Sequence, residues 1–459
     1  MVRRIFQTFA NCFQIPELRS RILFTIGILA VCRLIAIIPL PGLDGAKLTA
    51  FLTEAAQQAG GSSLMGMYSM FTGGALERCA LGALGIMPYI SATIIIQLLG
   101  ALVPSISKMA REEGGRMKIA QYSRYLTLLL CLGQGFFMAV GWERPDALFQ
   151  GFEGSLVIME PIWWYRIQTV LLLTTAAMLL VWLGEQITDR GIGNGVSLII
   201  TIGILARLPM TLQEVWRMFN PPGGEGGKGF FHAVALVLLL VAVVAAVIAV
   251  TQALRKIPVQ YAQRSVGRKV VPGGSSFLPL RVNYAGVMPI IFAQAILMFP
   301  EKGLSMAGRA FNLKILSDLA AFIAYPSWAY FTLEAGMIIF FSYFWVATMF
   351  NEIQIADDLK KHGGYIPGVR PGQATSDFLH WAMSRLTLAG ALFLAAIAIF
   401  PVLLYRLMDV PFVVATFFGG TSILITVGVL LDTLRQMETY LLNRHYDGFL
   451  KKGKVRGRF

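Results

Sequence analysis

The chain has 459 residues, of which 56% are apolar and 14% charged, and its formal net charge is +14. Ordinary soluble domains are about 45–50% apolar and about 25% charged, so this composition excludes a string of soluble domains. It indicates an integral membrane protein, because helices that cross a bilayer need about 20 mostly apolar residues each.

Ten apolar blocks in chain order predict ten spanning helices. They cover residues 22–40, 79–103, 121–141, 164–184, 195–210, 230–253, 282–300, 331–350, 386–404 and 412–434. No small-residue cleavage site follows the first block, so we expect a retained helix rather than a secretory signal.

The basic residues are distributed unevenly between the two sides of the predicted bundle. Six segments on one side hold 25 of the 39 Lys and Arg residues: 1–21, 104–120, 185–194, 254–281, 351–378 and 435–459. Cytoplasmic loops are enriched in these residues. The pattern therefore predicts an even number of spans, with both termini in the cytoplasm.

A short apolar segment between the first two blocks fits no spanning helix. Residues 62–74 read SSLMGMYSMFTGG, and their large apolar members are Leu64, Met65, Met67, Tyr68, Met70 and Phe71. Thirteen residues are too few to cross, so this segment is either a static interfacial helix or a re-entrant, movable stopper on the outer side.

Two sequence echoes relate helices that are five apart. Gly85-Ile-Met-Pro-Tyr-Ile90 in the second block matches Gly286-Val-Met-Pro-Ile-Ile291 in the seventh. Gly195-Val-Ser with Ile200 in the fifth block matches Gly420-Thr-Ser with Ile425 in the tenth. Because five is odd, the second copy is inverted, and Gly- and Pro-interrupted helices in such repeats mark a functional centre near the midplane.

The repeat completes the predicted organisation, an all-α polytopic membrane protein of ten helices in two inverted five-helix halves. Its parts are a cytoplasmic N-terminus 1–21, a first half 22–210 containing the segment 62–74, an external loop and sixth helix 211–253, a basic cytoplasmic loop 254–281, the seventh and eighth helices 282–350, a second cytoplasmic loop 351–378, the last two helices 379–434 and a basic tail 435–459.

The predicted centre is aliphatic rather than charged. Its candidate residues are Ile86, Ile90, Ile200, Ile291 and Ile425. A ring of aliphatic side chains can hold back ions by dewetting without any preference for a substrate. The alternative for each isoleucine is ordinary packing or a position facing lipid. Coupled solute transport normally needs ionisable groups inside the membrane, and the middle of the blocks has almost none.

The loops 254–281 and 351–378 are longer than an orientation signal requires. Their basic residues include Arg255, Lys256, Arg264, Arg268, Lys269 and Arg370. One interpretation is a solvated, positive-inside loop. The other, which their length favours, is a docking platform for a large negatively charged partner such as ribosomal RNA or an acidic motor surface.

The residues indicate neither a cofactor nor a metal site nor a catalytic one. Four cysteines and four histidines lack ligand or nucleophile spacing. The glycine run 191–195 resembles a phosphate loop, but it joins two membrane helices and follows no strand, so we expect it to serve a tight turn.

With these features, the chain resembles the SecY family of pore subunits of protein translocases. The stretches that carry the resemblance are FTGGALERCALGALGIMPYISATIIIQLL (71–99), WLGEQITDRGIGNGVSLII (182–200), NYAGVMPIIFA (283–293), PGVRPG (367–372), RLTLAGAL (385–392) and PFVVATFFGGTSILI (411–425). Together they extend over the chain from the segment after the first helix to the last.

The resemblance implies a bacterial inner-membrane channel with an hourglass pore for unfolded secretory chains. The five isoleucines match the constriction ring, 62–74 matches the plug, and Gln97 and Asn283 match polar positions of a lateral gate to lipid. The basic loops match docking sites for the ribosome and the SecA motor, with Arg370 in the motif most closely tied to SecA. Implied partners are SecE, SecG, signal peptides, nascent chains and membrane lipids; no cofactor is implied.

Two other function classes compete with a passive polypeptide channel. A secondary solute transporter is favoured only by the number of helices and the inverted symmetry. A membrane-embedded enzyme lacks a catalytic constellation. The missing intramembrane charges and the long cytoplasmic loops favour the channel.

Overall fold

The computed structural model describes residues 15–58, 72–112, 114–145, 152, 154–220, 229–261, 264–266, 269–271, 274–294, 296–297, 304, 308, 314–323, 327–408 and 410–452. The chain forms two compact units. One consists of Met1–Gln213 with Ile425–Phe459, and the other is Glu214–Leu424.

The first unit is built from helices. They are α1 (Pro16–Ile35), α2 (Gly45–Gln58), α3 (Met87–Leu102), α4 (Pro104–Arg111), α5 (Gly115–Glu143), α6 (Ile162–Arg190) and α7 (Gly195–Leu205), with a 3-10 turn at Leu81–Leu84 before α3. Proline lies in the first turn of α1, α3 and α4, where its missing N–H would have no helical partner. The start of α7 is capped by the Asn194 side chain, which accepts from the Ser197 N–H at 3.2 Å.

Helix α8 (Leu208–Phe219) contains the change from the first unit to the second. The second unit continues with α9 (Phe230–Gln252), β1 (Leu254–Tyr261), β2 (Arg264–Val266), β3 (Lys269–Val271), β4 (Ser275–Arg281), α10 (Lys314–Ile323), α11 (Trp328–Met349), α12 (Glu352–Lys361), β5 (Gly364–Tyr365), α13 (Gln373–Met408) and α14 (Phe412–Gly419). Helix α15 (Thr421–Lys452) begins in the second unit and continues in the first.

Eight helices among the described residues are long and apolar enough to cross a bilayer. They correspond to the second to sixth and eighth to tenth predicted blocks, which confirms the prediction of a multi-pass all-α protein. The first block, 22–40, overlaps α1 only as far as Ile35; this helix of 20 residues carries Glu17, Arg19, Arg21 and Arg33 and is therefore less apolar. The seventh block begins as bends and turns, and its helix starts only at Met288.

Exposed tryptophans lie near the ends of several helices. Trp163, Trp164, Trp216 and Trp328 are all at least half exposed, and the Arg406 guanidinium lies over the Trp328 ring at 5.4 Å. Aromatic side chains are enriched at membrane–water interfaces because their rings are amphipathic. Such rings occur at both interfaces, and Trp182 in the C-terminal half of α6 is also 53% exposed. The predicted orientation of these helices therefore stays a prediction.

The buried core of the first unit combines α5 and α6 with apolar residues of the stretch 40–84 and with Phe152 and Leu156. Trp142 and Tyr165 are fully buried there, and the Tyr165 hydroxyl donates to the Ala139 carbonyl at 3.3 Å. In the second unit the Phe292 ring packs edge-on against Phe341 and Trp345 of α11, with centroids 5.8 and 5.5 Å apart. Such edge contacts between aromatic rings add to the packing energy of burial.

Strands occupy part of the loop 254–281, for which the sequence analysis predicted none. Strand β1 pairs antiparallel with β4 from Leu254↔Arg281 to Gln260↔Ser275. Its other edge pairs with β5 at Gln260↔Tyr365 and Tyr261↔Gly364. The three-stranded sheet β4-β1-β5 therefore joins the two predicted docking loops within the second unit.

Candidate functional site

The five predicted ring isoleucines are all buried. Their exposed fractions are 4% for Ile86, 6% for Ile90, 5% for Ile200, 3% for Ile291 and 2% for Ile425. Four of them belong to the first unit and Ile291 to the second. Burial in aliphatic surroundings suits a dewetted constriction. That these residues line one passage stays a prediction.

The two copies of the first sequence echo share a glycine with positive φ and a helix start. Gly85 and Gly286 have positive φ, +56° and +65°, a region that glycine adopts without steric cost. In each copy a helix then begins at the methionine two residues later. The Ile90 N–H donates to the Ile86 carbonyl at 3.2 Å, and the equivalent Ile291 N–H donates to the Val287 carbonyl at 3.4 Å. The two copies of the first echo therefore share local structure as well as sequence.

The second echo also marks two helix starts. Helix α7 begins at Gly195 and α15 begins directly after Gly420. A side chain at Gly195 would meet backbone, because a Cβ there would lie within van der Waals overlap of the Gly184 carbonyl oxygen. Ile200 and Ile425 each follow five residues after their glycine, in the first turns of these helices.

The predicted stopper lies mostly outside the described residues. This applies to Leu64, Met65, Met67, Tyr68, Met70 and Phe71. Its last three residues, 72–74, are described and buried. They begin a stretch that is attached to the surrounding helices at several points.

An arginine from α1 holds the start of this stretch. The Arg33 Nη1 donates to the Gly73 carbonyl at 2.8 Å. Gly73 has φ +65°, and a Cβ there would lie 2.6 Å from the same Arg33 nitrogen and 3.0 Å from the Gly203 Cα of α7. Only glycine combines this conformation with so close an approach. The chain that leaves residues 62–71 is thus fixed to α1 and α7.

Further contacts attach the following residues. Arg207, just after α7, forms an ion pair with Glu77, and the Leu40 N–H donates to the Cys79 carbonyl at 2.9 Å. The Thr49 hydroxyl donates to the Glu77 carbonyl at 3.0 Å. The sequence does not indicate the contact between Arg33 and Gly73, because the two partners are 40 positions apart.

A small cavity of about 30 Å³ adjoins the Arg33–Gly73 contact. Arg33, Thr72, Ile86, Leu180 and Gly203 contribute to its lining. Its volume suffices for about one water molecule. The candidate constriction residue Ile86 and the end of the stopper segment therefore share one small space in the first unit.

Four of the five amides in the glycine run 191–195 already have acceptors, beginning with the Gly191 N–H, which donates to the Ile187 carbonyl at 2.8 Å. The Ile192 N–H donates to the Thr25 hydroxyl at 3.1 Å, and the Gly193 N–H donates to Gln436 Oε1 at 2.9 Å. The Gly195 N–H donates to the Thr188 hydroxyl at 2.9 Å. Phosphate loops need such amides for the ligand, so this run is a tight turn tied to α1, α6 and α15.

The two predicted gate residues are in different units. Gln97 lies on α3, and its Oε1 is buried with no hydrogen-bond partner among the described residues. Asn283 lies in the bend before the seventh helix and is 8% exposed. Buried polar groups in membrane helices are costly and usually functional.

A further buried polar pair links the seventh helix to α11. Gln294 Nε2 donates to Glu334 Oε1 at 3.1 Å, and Glu334 is only 2% exposed. Glu334 lies near the start of the predicted eighth block, 331–350. Within the described residues, no group of three or more His, Cys, Asp and Glu could hold a metal ion.

The sheet β4-β1-β5 and the turn that follows β5 carry part of the predicted docking residues. Arg255 and Lys256 are exposed on β1, and Arg370 is exposed in the turn before α13. The Tyr365 hydroxyl donates to Gln260 Oε1 at 3.0 Å and supports the joint between β5 and β1. The two remaining members of the set that can be placed are Arg264 on β2 and Lys269 on β3; Arg268 lies outside the described residues.

Comparison with known proteins matches the amino-acid sequence to one family. The SecY family profile matches residues 80–434. A protein translocase subunit SecY from Chlamydia trachomatis is 41% identical over 461 residues, covering 98% of this chain and 99% of the relative. The Escherichia coli K12 subunit is 41% identical over 442 residues, 96% of each chain, and that of Thermotoga maritima is 39% identical over 457 residues, 99% of this chain and 100% of the relative.

Solved structures of protein-conducting channels have the same fold. One described as a protein-conducting channel aligns with a TM-score of 0.62 at 17% identity, over 92% of each chain. A SecY structure, whose plug domain is described as stabilising the closed state of the translocation channel, aligns with a TM-score of 0.58 at 17% identity, over 92% of each chain. The channel of a canine ribosome–channel complex from the endoplasmic reticulum aligns equally well, at 16% identity.

Proposed function

Because the chain belongs to the SecY family, we propose that it is the central subunit of a protein-conducting channel. It acts as a passive gated pore that moves unfolded secretory polypeptides across the membrane. The lateral gate releases membrane-protein helices sideways into lipid. The family consists of channel subunits, which separates this chain from solute transporters and from membrane enzymes.

One structural observation supports the proposal most directly. Buried isoleucines recur at equivalent positions in two copies of one backbone motif. Ile90 and Ile291 follow glycines with positive φ and occupy equivalent hydrogen-bonded positions. An aliphatic constriction has no groups that would bind a particular solute. It can yield around a passing chain without breaking hydrogen bonds, which suits cargo of many sequences.

The gate has a stopper and a sideways exit in this proposal. Segment 62–74 closes the outer side of the constriction, and its end is held through Gly73 by Arg33. The helix that contains Asn283 and the helix that contains Gln97 border the exit. Signal peptides and nascent chains are the ligands, and membrane lipids receive the released helices.

The energy for transport comes from partners on the cytoplasmic side. The joined loops 254–281 and 351–378 offer exposed basic residues at Arg255, Lys256 and Arg370, which suit the ribosome or the SecA motor. SecE and SecG complete the complex. The excess of Lys and Arg on one side supports a location in the bacterial inner membrane with both termini in the cytoplasm.

Cross-linking of a stalled secretory chain tests the proposal. Photoreactive groups at Ile86, Ile200 and Ile425 should label the stalled chain, whereas groups at Leu129 and Val241, which are 65% and 60% exposed, should label lipid. Cargo labelling at the two control positions alone would refute the pore. Deletion of 62–74 should raise ion leak through empty channels, and an unchanged leak would refute the stopper.

A further inference from the structure

The stretch RLTLAGAL has a glycine in the middle of a long helix. Gly390 lies 17 residues into α13, which runs from Gln373 to Met408. Glycine inside a helix is less favourable than alanine, because it loses more backbone entropy on folding. Its place here calls for a local reason.

The reason is a close approach of another backbone. A Cβ on Gly390 would lie 2.6 Å from the Val282 carbonyl oxygen, 3.4 Å from the Val282 carbonyl carbon and 3.6 Å from the Asn283 Cα. Ordinary contact begins at 3.4 Å. An alanine therefore requires the Val282 oxygen to move by 0.8 Å, the difference between 3.4 and 2.6 Å, and the obstructing atoms are main chain rather than a flexible side chain.

The Val282–Asn283 backbone is where the second-unit gate helix begins. It follows directly on β4, which ends at Arg281. The Val282 N–H donates to the Ala253 carbonyl at 3.0 Å. The next residues form bends until the helix starts at Met288, and Ala285 among them is 5% exposed. Residues 282–287 lie outside the hydrogen-bond pattern of the helix, so contacts with neighbouring elements determine the position of this bend.

We propose that Gly390 is a positioning residue for this helix. Its missing side chain lets the Val282–Asn283 backbone rest directly on α13, and this seat determines where the helix begins. The close contact between Gly390 and the Val282–Asn283 backbone, here called the seat, follows from the geometry. Its consequence, control of how readily the lateral gate opens, rests on the proposed function.

The test uses the reconstituted translocase and a cysteine probe in the bend. Ala285→Cys is a small change at a buried position, so its reaction with a water-soluble maleimide should be slow. Overpacking of this size typically shifts an equilibrium by about fivefold or more. Gly390→Ala should therefore speed labelling at position 285 by about fivefold or more, and Gly390→Val should speed it further.

Two controls separate a displaced bend from general unfolding. Gly336→Ala makes the same change on α11, where a Cβ meets nothing within 4 Å, and should leave the labelling rate unchanged. Native Cys131, fully buried in α5 of the first unit, should stay unreactive in every variant. Unchanged labelling at position 285 in both Gly390 variants would overturn the proposal. So would equal exposure of Cys131, which would make the glycine a residue of general packing.

A second readout keeps the seat distinct from the gate. If the seat controls the lateral gate, Gly390→Ala should let cargo with a defective signal sequence pass about fivefold more often relative to intact cargo. Faster labelling at Ala285→Cys with unchanged cargo selection would support the seat and count against the gate role assigned to this helix under the proposed function.

Discussion

The contact between Arg33 and Gly73 predicts that one side chain holds the end of the stopper in place. Replacing Arg33 by methionine keeps the length of the side chain but removes the donor to the Gly73 carbonyl. A hydrogen bond from a charged donor contributes about 1.5–3 kcal/mol. Because about 1.4 kcal/mol is a factor of ten, the detached population should rise by roughly 10- to 150-fold.

Ion leak through empty channels in lipid vesicles reports that population. We expect Arg33→Met to raise the leak towards that of the 62–74 deletion. Arg33→Lys keeps the charge with fewer donors and should give an intermediate value. Arg124→Met is the matched control, because Arg124 forms an ion pair with Glu185 at 2.8 Å away from the stretch 72–80, and its leak should equal that of the unchanged protein.

A wild-type leak in Arg33→Met, with a high leak in the deletion, would refute the role of this contact while leaving the stopper intact. In the deletion background, which lacks Gly73, Arg33→Met should add nothing. An additional increase there would show that the arginine acts elsewhere.

Two other changes test the predicted docking loop and the buried Gln294–Glu334 pair. Arg370→Glu should strongly reduce motor-driven translocation, while the subunit still inserts into membranes. The control Lys47→Glu, an exposed change outside the predicted docking loops, should leave translocation unchanged. Equal translocation by the two variants would refute the docking assignment. Glu334→Leu leaves the buried Gln294 amide without its acceptor and should cost about 1–3 kcal/mol of stability, measured by thermal unfolding in detergent. The double change with Gln294→Leu should recover part of that loss, and a purely additive loss would contradict the pairing.

Much of the helical fold could be predicted because it depends on local composition. Apolar blocks, basic loops and the two echoes are all visible in the sequence, and the equivalent bonds at Ile90 and Ile291 agree with the first echo. The strands of the loop 254–281 were missed. Alternation was present, since Ile257 and Val259 are buried between exposed neighbours, but prolines and charges favoured an irregular loop.

The contacts that position the site could not be predicted, because they join distant residues. Arg33 and Gly73 are 40 positions apart, as are Gln294 and Glu334. Gly390 lies against a backbone more than a hundred positions earlier. A glycine in an apolar helix is compatible with many neighbours, and only the folded backbone identifies which one excludes a side chain.

The sheet β4-β1-β5 has a mechanical consequence. Its strands join two loops through main-chain hydrogen bonds, and β4 continues without a break into Val282. A load applied near Arg370 is carried by β5 to β1, and from β1 to β4 through a ladder that is sheared along its length rather than opened one bond at a time. The sheet thus connects the turn that contains Arg370 with Val282, the first residue of the bend that packs against Gly390.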